Sequence, residues 1–474
     1  MSRTSKILTT VLLTLVLAAL AVPVGIYLAP VFSPAGAGQS AAAASLPASQ
    51  QLPTALSTLK GIDPLSGNAP IPDPALLSQQ LESTLVAQGG GDFTALVQDA
   101  ASGQVLYSRN ASAPRIPASN LKLLTAVAAL KNLGAEKRLS TKVLSGADAN
   151  SIVLQAGGDV LLGKDASQPG KTVGHAGVAT LAAQTAAALK AAGVSGPVSI
   201  SVDDTLFTGP ALDQNWLPAD VDAGEIAPVF PMALYGARLD PDVSVGPRPQ
   251  DSPMSVAAVF AAQLKSDGVQ VGSSVQRAKA GDGARTLAAV DSATVAEQVE
   301  YMLQASDNYV AETMGRLTAL AMKKDGSFTG ATAAVKETIG SLGVDTDGLV
   351  MGDSCGLAVN DRVSAEQLTR VVNVMLTNPS QDIRQAVLGL PIAGLSGTLG
   401  DRYIDRTTVG GAGLVRAKTG TLNAVLSLSG YVVDTDGRLL VFSFIGNDFS
   451  AGSEQAKPAI DKAATILAGC GCSG

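Results

Sequence analysis

Three short segments, far apart in the chain, constrain its fold most. Ser119-Asn120-Leu121-Lys122 opens a strongly helical stretch that runs to Leu133, and Ser306-Asp307-Asn308 interrupts the apolar face of a second helical pattern, Val295 to Met322. Lys418-Thr419-Gly420 lies on a predicted strand that continues through Thr421 into Val425 to Val433. A fold that gathers all three must set a strand against a helix start and a helix break. The chemistry gives a reason for gathering them. Residues three apart on a helix share a face, so Lys122 can reach the Ser119 hydroxyl, and the helix N-terminus favours negative charge developing there. A serine is a poor nucleophile until a base takes its proton. Lys122 serves as that base if burial and a second cation, Lys418, disfavour its charged form. Ser306 then bridges the two lysines and relays a proton, while Asn308 hydrogen-bonds a substrate amide. Backbone N–H groups of Ser119 and Thr421 hold an oxyanion, and the Thr419 and Thr421 hydroxyls beside Lys418 receive a carboxylate.

Each segment has a bland reading when taken alone: a helix cap, a turn, a strand end. Chance supplies such matches, since Ser57-Thr58-Leu59-Lys60 repeats the first spacing and Ser66-Gly67-Asn68 and Ser108-Arg109-Asn110 resemble the second. Only Ser119 opens an amphipathic helix, and only Lys418 sits on a predicted strand. The joint, ordered occurrence carries the reading. A Ser-His-Asp triad would have to use His175, the one histidine, which reads as a solvated residue in a Gly-rich loop. Zinc chemistry lacks any ligand spacing.

At 474 residues the chain exceeds one ordinary domain. Its net charge of -7 argues against a nucleic-acid partner, which would require a basic stripe. Arg3 and Lys6 precede an uncharged apolar run from about Ile7 to Phe32, so residues 1–32 read as a transmembrane anchor or signal peptide that places everything downstream outside the cytoplasm. Residues 33–74, rich in Ala, Ser and Pro, read as a flexible spacer. Residues 75–136 and 285–474 then form two parts of one domain around a strand-rich insertion at 137–284. Three cysteines in an oxidising compartment lead to the expectation that Cys355 pairs with Cys470 or Cys472. The fold class expected is α/β, an antiparallel sheet flanked by helices.

The ordered set S-x-x-K, S-D-N, K-T-G resembles that of penicillin-binding proteins and class A β-lactamases. The wider sequence resembles the class C low-molecular-mass penicillin-binding proteins, the D-alanyl-D-alanine carboxypeptidase/endopeptidase family. Pro117 to Thr125 is similar to that family's nucleophile segment, and Ala156-Gly157-Gly158-Asp159, Asp203-Asp204 with Phe207, and Trp216 to landmarks of its insertion. Ala311-Glu312, Gly394 to Leu399, Ala417 to Leu422 and Leu428 to Val432 extend the likeness over roughly Leu81 to Leu467. The resemblance implies a penicillin-binding/transpeptidase-like domain interrupted by an insertion. It also implies removal of the terminal D-alanine from peptidoglycan stem peptides, hydrolysis of cross-links, acylation by β-lactams, and no cofactor. The interval from Ser119 to Ser306 looks shorter than in members with two inserted domains, so one full insertion is expected. Asp353-Ser354-Cys355-Gly356-Leu357 departs from a family pattern resembling Asp-Gly-Ser-Gly-Leu, with Cys355 expected near the rim of the site.

Two other functions compete. A serine β-lactamase of class A would carry a Glu-x-x-Leu-Asn segment between the second and third motifs, and none is found. A catalytically silent cell-wall binding protein would not need the full set of reactive side chains.

Overall fold

The computed structural model describes residue 65 and residues 68–86, 90–243 and 245–470. The apolar run at 7–32 and most of the spacer lie outside them. Among the described residues no helix is long and apolar enough to cross a membrane.

The first elements are α1 (Pro74–Thr84), capped by the Asp73 carboxylate, and the hairpin β1 (Asp92–Asp99) and β2 (Val105–Arg109). A short 3-10 turn, Ala118–Leu121, leads into α2 (Lys122–Leu133), which ends at Gly134. Every residue of α2 from Lys122 to Leu130 is buried, as befits a helix enclosed on all sides. Next come β3 (Ser140–Ser145), β4 (Ser151–Gln155), α3 (Val178–Ala191), β5 (Val198–Asp203), α4 (Ser252–Ser266), β6 (Val271–Arg277) and β7 (Thr286–Asp291). The helical pattern of 295–322 divides into α5 (Val295–Gln304) and α6 (Asn308–Ala321) at the predicted interruption. The chain continues with α7 (Phe328–Ser341), α8 (Ala365–Thr377), β8 (Arg416–Leu422), β9 (Val425–Val433), β10 (Leu439–Asn447) and α9 (Lys457–Gly469).

Among the described residues two five-stranded sheets result. The first, ordered β2-β1-β10-β9-β8, is antiparallel throughout and brings segments far apart in sequence together, since β1 pairs with β10. Both its faces are covered, and the strand period of two assigns side chains to them. Leu440, Phe442 and Phe444 pack with Leu77 and Leu81 of α1 and Ile460 and Leu467 of α9. Val441 and Ile445 face the opposite way, onto a core shared with α2, α5, α6, α7 and α8. The second sheet, β6-β5-β4-β3-β7, mixes parallel and antiparallel pairs and packs on α3 and α4. Its strands span 140–291, so β7 reaches past the expected boundary at 284.

In the first sheet β8 is an edge strand. Ile392 bridges Arg416, and the Ala417 N–H donates to the Pro391 carbonyl at 3.0 Å, so the outer edge is covered at its start. Alternation along a strand then turns the N–H groups of Thr419 and Thr421 to the same outer side.

Candidate active site

Ser119 stands in the 3-10 turn ahead of α2, one residue after Ala118, which has a φ of 47°. A left-handed alanine is held there by close packing. A Cβ on Gly356 would lie 1.9 Å from the Ala118 carbonyl, so the loop carrying Gly356 presses directly on the turn. Lys122 is fully buried, and its Nζ donates to Ser119 Oγ at 2.9 Å, Asn308 Oδ1 at 2.6 Å and the Cys355 carbonyl at 2.7 Å. These three acceptors aim the amine at the serine.

Ser306 links α5 and α6 with a φ of 55°, and the buried Asp307 carboxylate caps α6 through the Val310 N–H at 2.9 Å. From β8, the buried Lys418 Nζ donates to Ser306 Oγ at 2.9 Å and to the Thr419 carbonyl at 2.7 Å. Thr419 Oγ1 pairs with Thr398 Oγ1 at 2.6 Å, and Thr421 is exposed. Gly420 is required by proximity. A Cβ there would meet Ser427 Oγ at 2.3 Å and the Pro117 carbonyl at 2.8 Å, so only a glycine lets β8 lie against the turn that carries Ser119.

Burial pulls the Lys122 amine below its ordinary range, against the opposing pull of Cys355, Asp353, Asp307 and Glu312. Lys418 is driven well below its usual value, first by burial and then by Lys122. An amine whose charged form is disfavoured, set beside a serine hydroxyl, is suited to take the serine proton without a histidine.

The structure therefore brings Ser119, Lys122, Ser306, Asn308, Lys418, Thr419, Gly420 and Thr421 to one place. The expected contacts are redistributed, however. Ser306 contacts Lys418, while Asn308 takes the place beside Lys122, its Nδ2 donating to the Glu225 carbonyl at 3.0 Å. Cys355 is a free thiol, fully buried behind Lys122 rather than at the rim, and Cys470 is disulfide-bonded without it, which overturns the expected pairing. His175 is half-buried, bonded to Arg138 at 2.8 Å and to the Lys171 carbonyl at 3.1 Å, and takes no part in the site.

Sequence reasoning missed the supports. Asp353 is buried and accepts four backbone N–H groups, from Cys355, Gly356, Leu357 and Ala358, together with the Trp216 indole at 2.9 Å. This shapes the loop whose carbonyl holds Lys122. Glu312 accepts the Ser354 N–H at 2.8 Å, and burial pushes its carboxyl up to about 8. Glu312, Asp353 and Cys355 are close enough to share an ion, but the lone pairs of Asp353 are already engaged by these five N–H donors and the Cys355 thiol, six in all, and the Lys122 amine lies beside them. The group suits a proton better than a metal.

Comparison with known proteins identifies the family. The model of the D-Ala-D-Ala carboxypeptidase 3 (S13) family matches residues 77–245 and 241–469. The chain belongs to that family. Carboxypeptidase Rv3627c of Mycobacterium tuberculosis is 35% identical over 416 residues, covering 87% of this chain and 88% of the relative. The fold of penicillin binding protein 4 (dacB) from Haemophilus influenzae matches with a TM-score of 0.65 at 21% identity, over 83% of this chain and 98% of that one. The same protein complexed with a β-lactam matches with a TM-score of 0.62 at 20% identity, over the same shares of the two chains. The S13 fold is thus an α/β, penicillin-binding type, as the sequence led us to expect.

Proposed function

We propose that this protein is a serine D-alanyl-D-alanine carboxypeptidase acting on peptidoglycan stem peptides, with Ser119 as nucleophile. The observation that carries the reading is a pair of buried lysines, each on a serine: Lys122 at 2.9 Å from Ser119 and Lys418 at 2.9 Å from Ser306. Neutral Lys122 takes the Ser119 proton as Oγ attacks the carbonyl of the penultimate D-alanine. Negative charge collects on the carbonyl oxygen, where the N–H groups of Ser119 and Thr421 receive it. Collapse of that intermediate breaks the peptide bond. The leaving D-alanine nitrogen takes a proton from Ser306, which the proton drawn by Lys122 replaces so that Lys122 is neutral again, and Lys418 with the Thr419 and Thr421 hydroxyls holds the terminal carboxylate. Water then cleaves the ester on Ser119, and Lys122 again serves as base. A cross-link between stem peptides presents the same D-alanyl carbonyl, and a β-lactam ring acylates Ser119 in the same way. The apolar run at 7–32 anchors the enzyme to the cell membrane or exports it, so its work lies in the cell wall.

A fluorescent penicillin tests this. Wild type is expected to form a stable covalent adduct, and Ser119→Ala to form none while keeping its melting temperature. Lys122→Ala and Lys418→Ala are expected to slow acylation by on the order of 10²- to 10⁴-fold. Normal labelling of Ser119→Ala would sink the assignment, and rapid release of the label would make the protein a β-lactamase instead.

A further inference from the structure

Behind the second motif lies a segment of unusual backbone. Tyr235, Gly236 and Ala237 have φ values of 54°, 69° and 56°, three successive residues in the left-handed region. Such a run persists only where its surroundings hold it. Here the Tyr235 N–H donates to the Leu162 carbonyl at 3.1 Å and the Gly236 N–H to the Val160 carbonyl at 2.7 Å. Arg248 fastens the other side, donating to the Gly236 carbonyl at 2.8 Å and the Gly224 carbonyl at 2.5 Å. The middle residue must be glycine for a second reason: a Cβ on Gly236 would sit 2.8 Å from the Arg238 guanidinium and 3.3 Å from the Asp307 carboxylate.

The turn delivers Arg238. Its guanidinium meets Asp307 Oδ2 at 2.5 Å, with the carboxylate fully buried and the arginine nearly so. Asp307 lies between Ser306 and Asn308 and caps α6. Arg248, which fastens the turn, also reaches the Glu225 carbonyl at 3.5 Å; that carbonyl holds Asn308, which in turn holds Lys122.

We infer that Arg238 is a positioning residue of the active site: the strained turn at 235–237 presents it to Asp307, and the pair fixes Ser306 and Asn308 where acylation needs them. The inference rests on the serine peptidase reading. Arg238 acts geometrically and also through charge. Lys122 feels Asp307 together with Asp353, Glu312, Cys355 and the opposing Lys418, while Arg238 itself faces Asp307, Tyr301 and the nearby Arg248. Without the guanidinium, the charge of Asp307 acts on Lys122 uncompensated. More of the amine is then protonated at a given pH, and the rise of acylation rate with pH shifts to higher pH.

The test compares rates of acylation by fluorescent penicillin across pH, with melting temperatures, for wild type, Arg238→Ala, Arg238→Lys and Arg238→Ala combined with Asp307→Asn. Arg238→Ala is expected to be on the order of 10²-fold slower, with its rate–pH curve moved upward. Arg238→Lys keeps the charge and returns the curve toward the wild-type position. The double variant removes both charges and does the same while staying slow. An unmoved curve in folded Arg238→Ala, or a loss equal to its unfolded fraction, overturns the inference. If Arg238→Ala fails to fold, slow rates on a wild-type curve in the other two support the inference, and wild-type rates in them overturn it. Failure of wild type itself to be labelled would fall on the proposed function instead.

Discussion

Glu312 carries a proton in the folded protein that it gives up when the chain unfolds. Its carboxyl is raised from about 4.5 to about 8, first by burial and then by Asp353. A folded-state value above the unfolded one means that its contribution to stability is fully present below about 4.5 and is lost as pH rises through about 8. Glu312→Gln retains an acceptor for the Ser354 N–H and cannot ionise. Its melting temperature relative to wild type is therefore expected to climb across that window, by up to a few kcal/mol of stability, in thermal denaturation at about pH 5 and about pH 9. A flat difference would show that Glu312 ionises without penalty. The sequence reveals single residues unevenly at this scale. Ser119 and Lys122 are legible because their spacing is local and helical. Asp353 and Glu312 are not, because what makes them supports is the set of N–H groups folded around them. Cys355 was misread for the same reason: burial behind Lys122 is a tertiary fact, invisible in a sequence departure.

Among the elements, β8 and the turn before α2 depend on each other. Gly420→Ala places a methyl group within 2.3 Å of Ser427 Oγ and 2.8 Å of the Pro117 carbonyl, which belong to the two structures that must stay in contact. The strand has to move off the turn. Denaturant titration is expected to show a loss of about 1–3 kcal/mol, accompanied by slower penicillin acylation, since Lys418 travels with the strand. Full activity in this variant would mean that the close approach is not needed. Helices and strands were largely readable from pattern: the break at 306, the hairpin of β9 and β10 and the Gly134 stop of α2 all follow from periodicity and turn chemistry. The 3-10 entry into α2 was not, because its geometry is imposed by a left-handed Ala118 pinned beneath Gly356, more than two hundred residues away in sequence.

Across the whole molecule, the second sheet and the helices of the site are tied through Tyr309. Its hydroxyl accepts the Phe230 N–H at 2.8 Å, donates to the Pro228 carbonyl at 3.1 Å, and lies 3.1 Å from Ser252 Oγ at the start of α4. Tyr309→Phe removes the partner of the partly buried Phe230 N–H. It is expected to cost about 1–3 kcal/mol by denaturation and to raise amide exchange in 224–248. Unchanged exchange there would separate the segment from α6. None of this coupling could be read from composition or period, which carry no record of the loop that meets Asp307 and Asn308.

The outer edge of β8 combines openness with brevity. Because Ile392 and Pro391 close its beginning, only Thr419 to Leu422 can still pair with an incoming chain. Four residues offer amide pairing to a short extended segment, yet they are too few to nucleate stacking between copies of the protein, the usual hazard of an uncovered sheet margin.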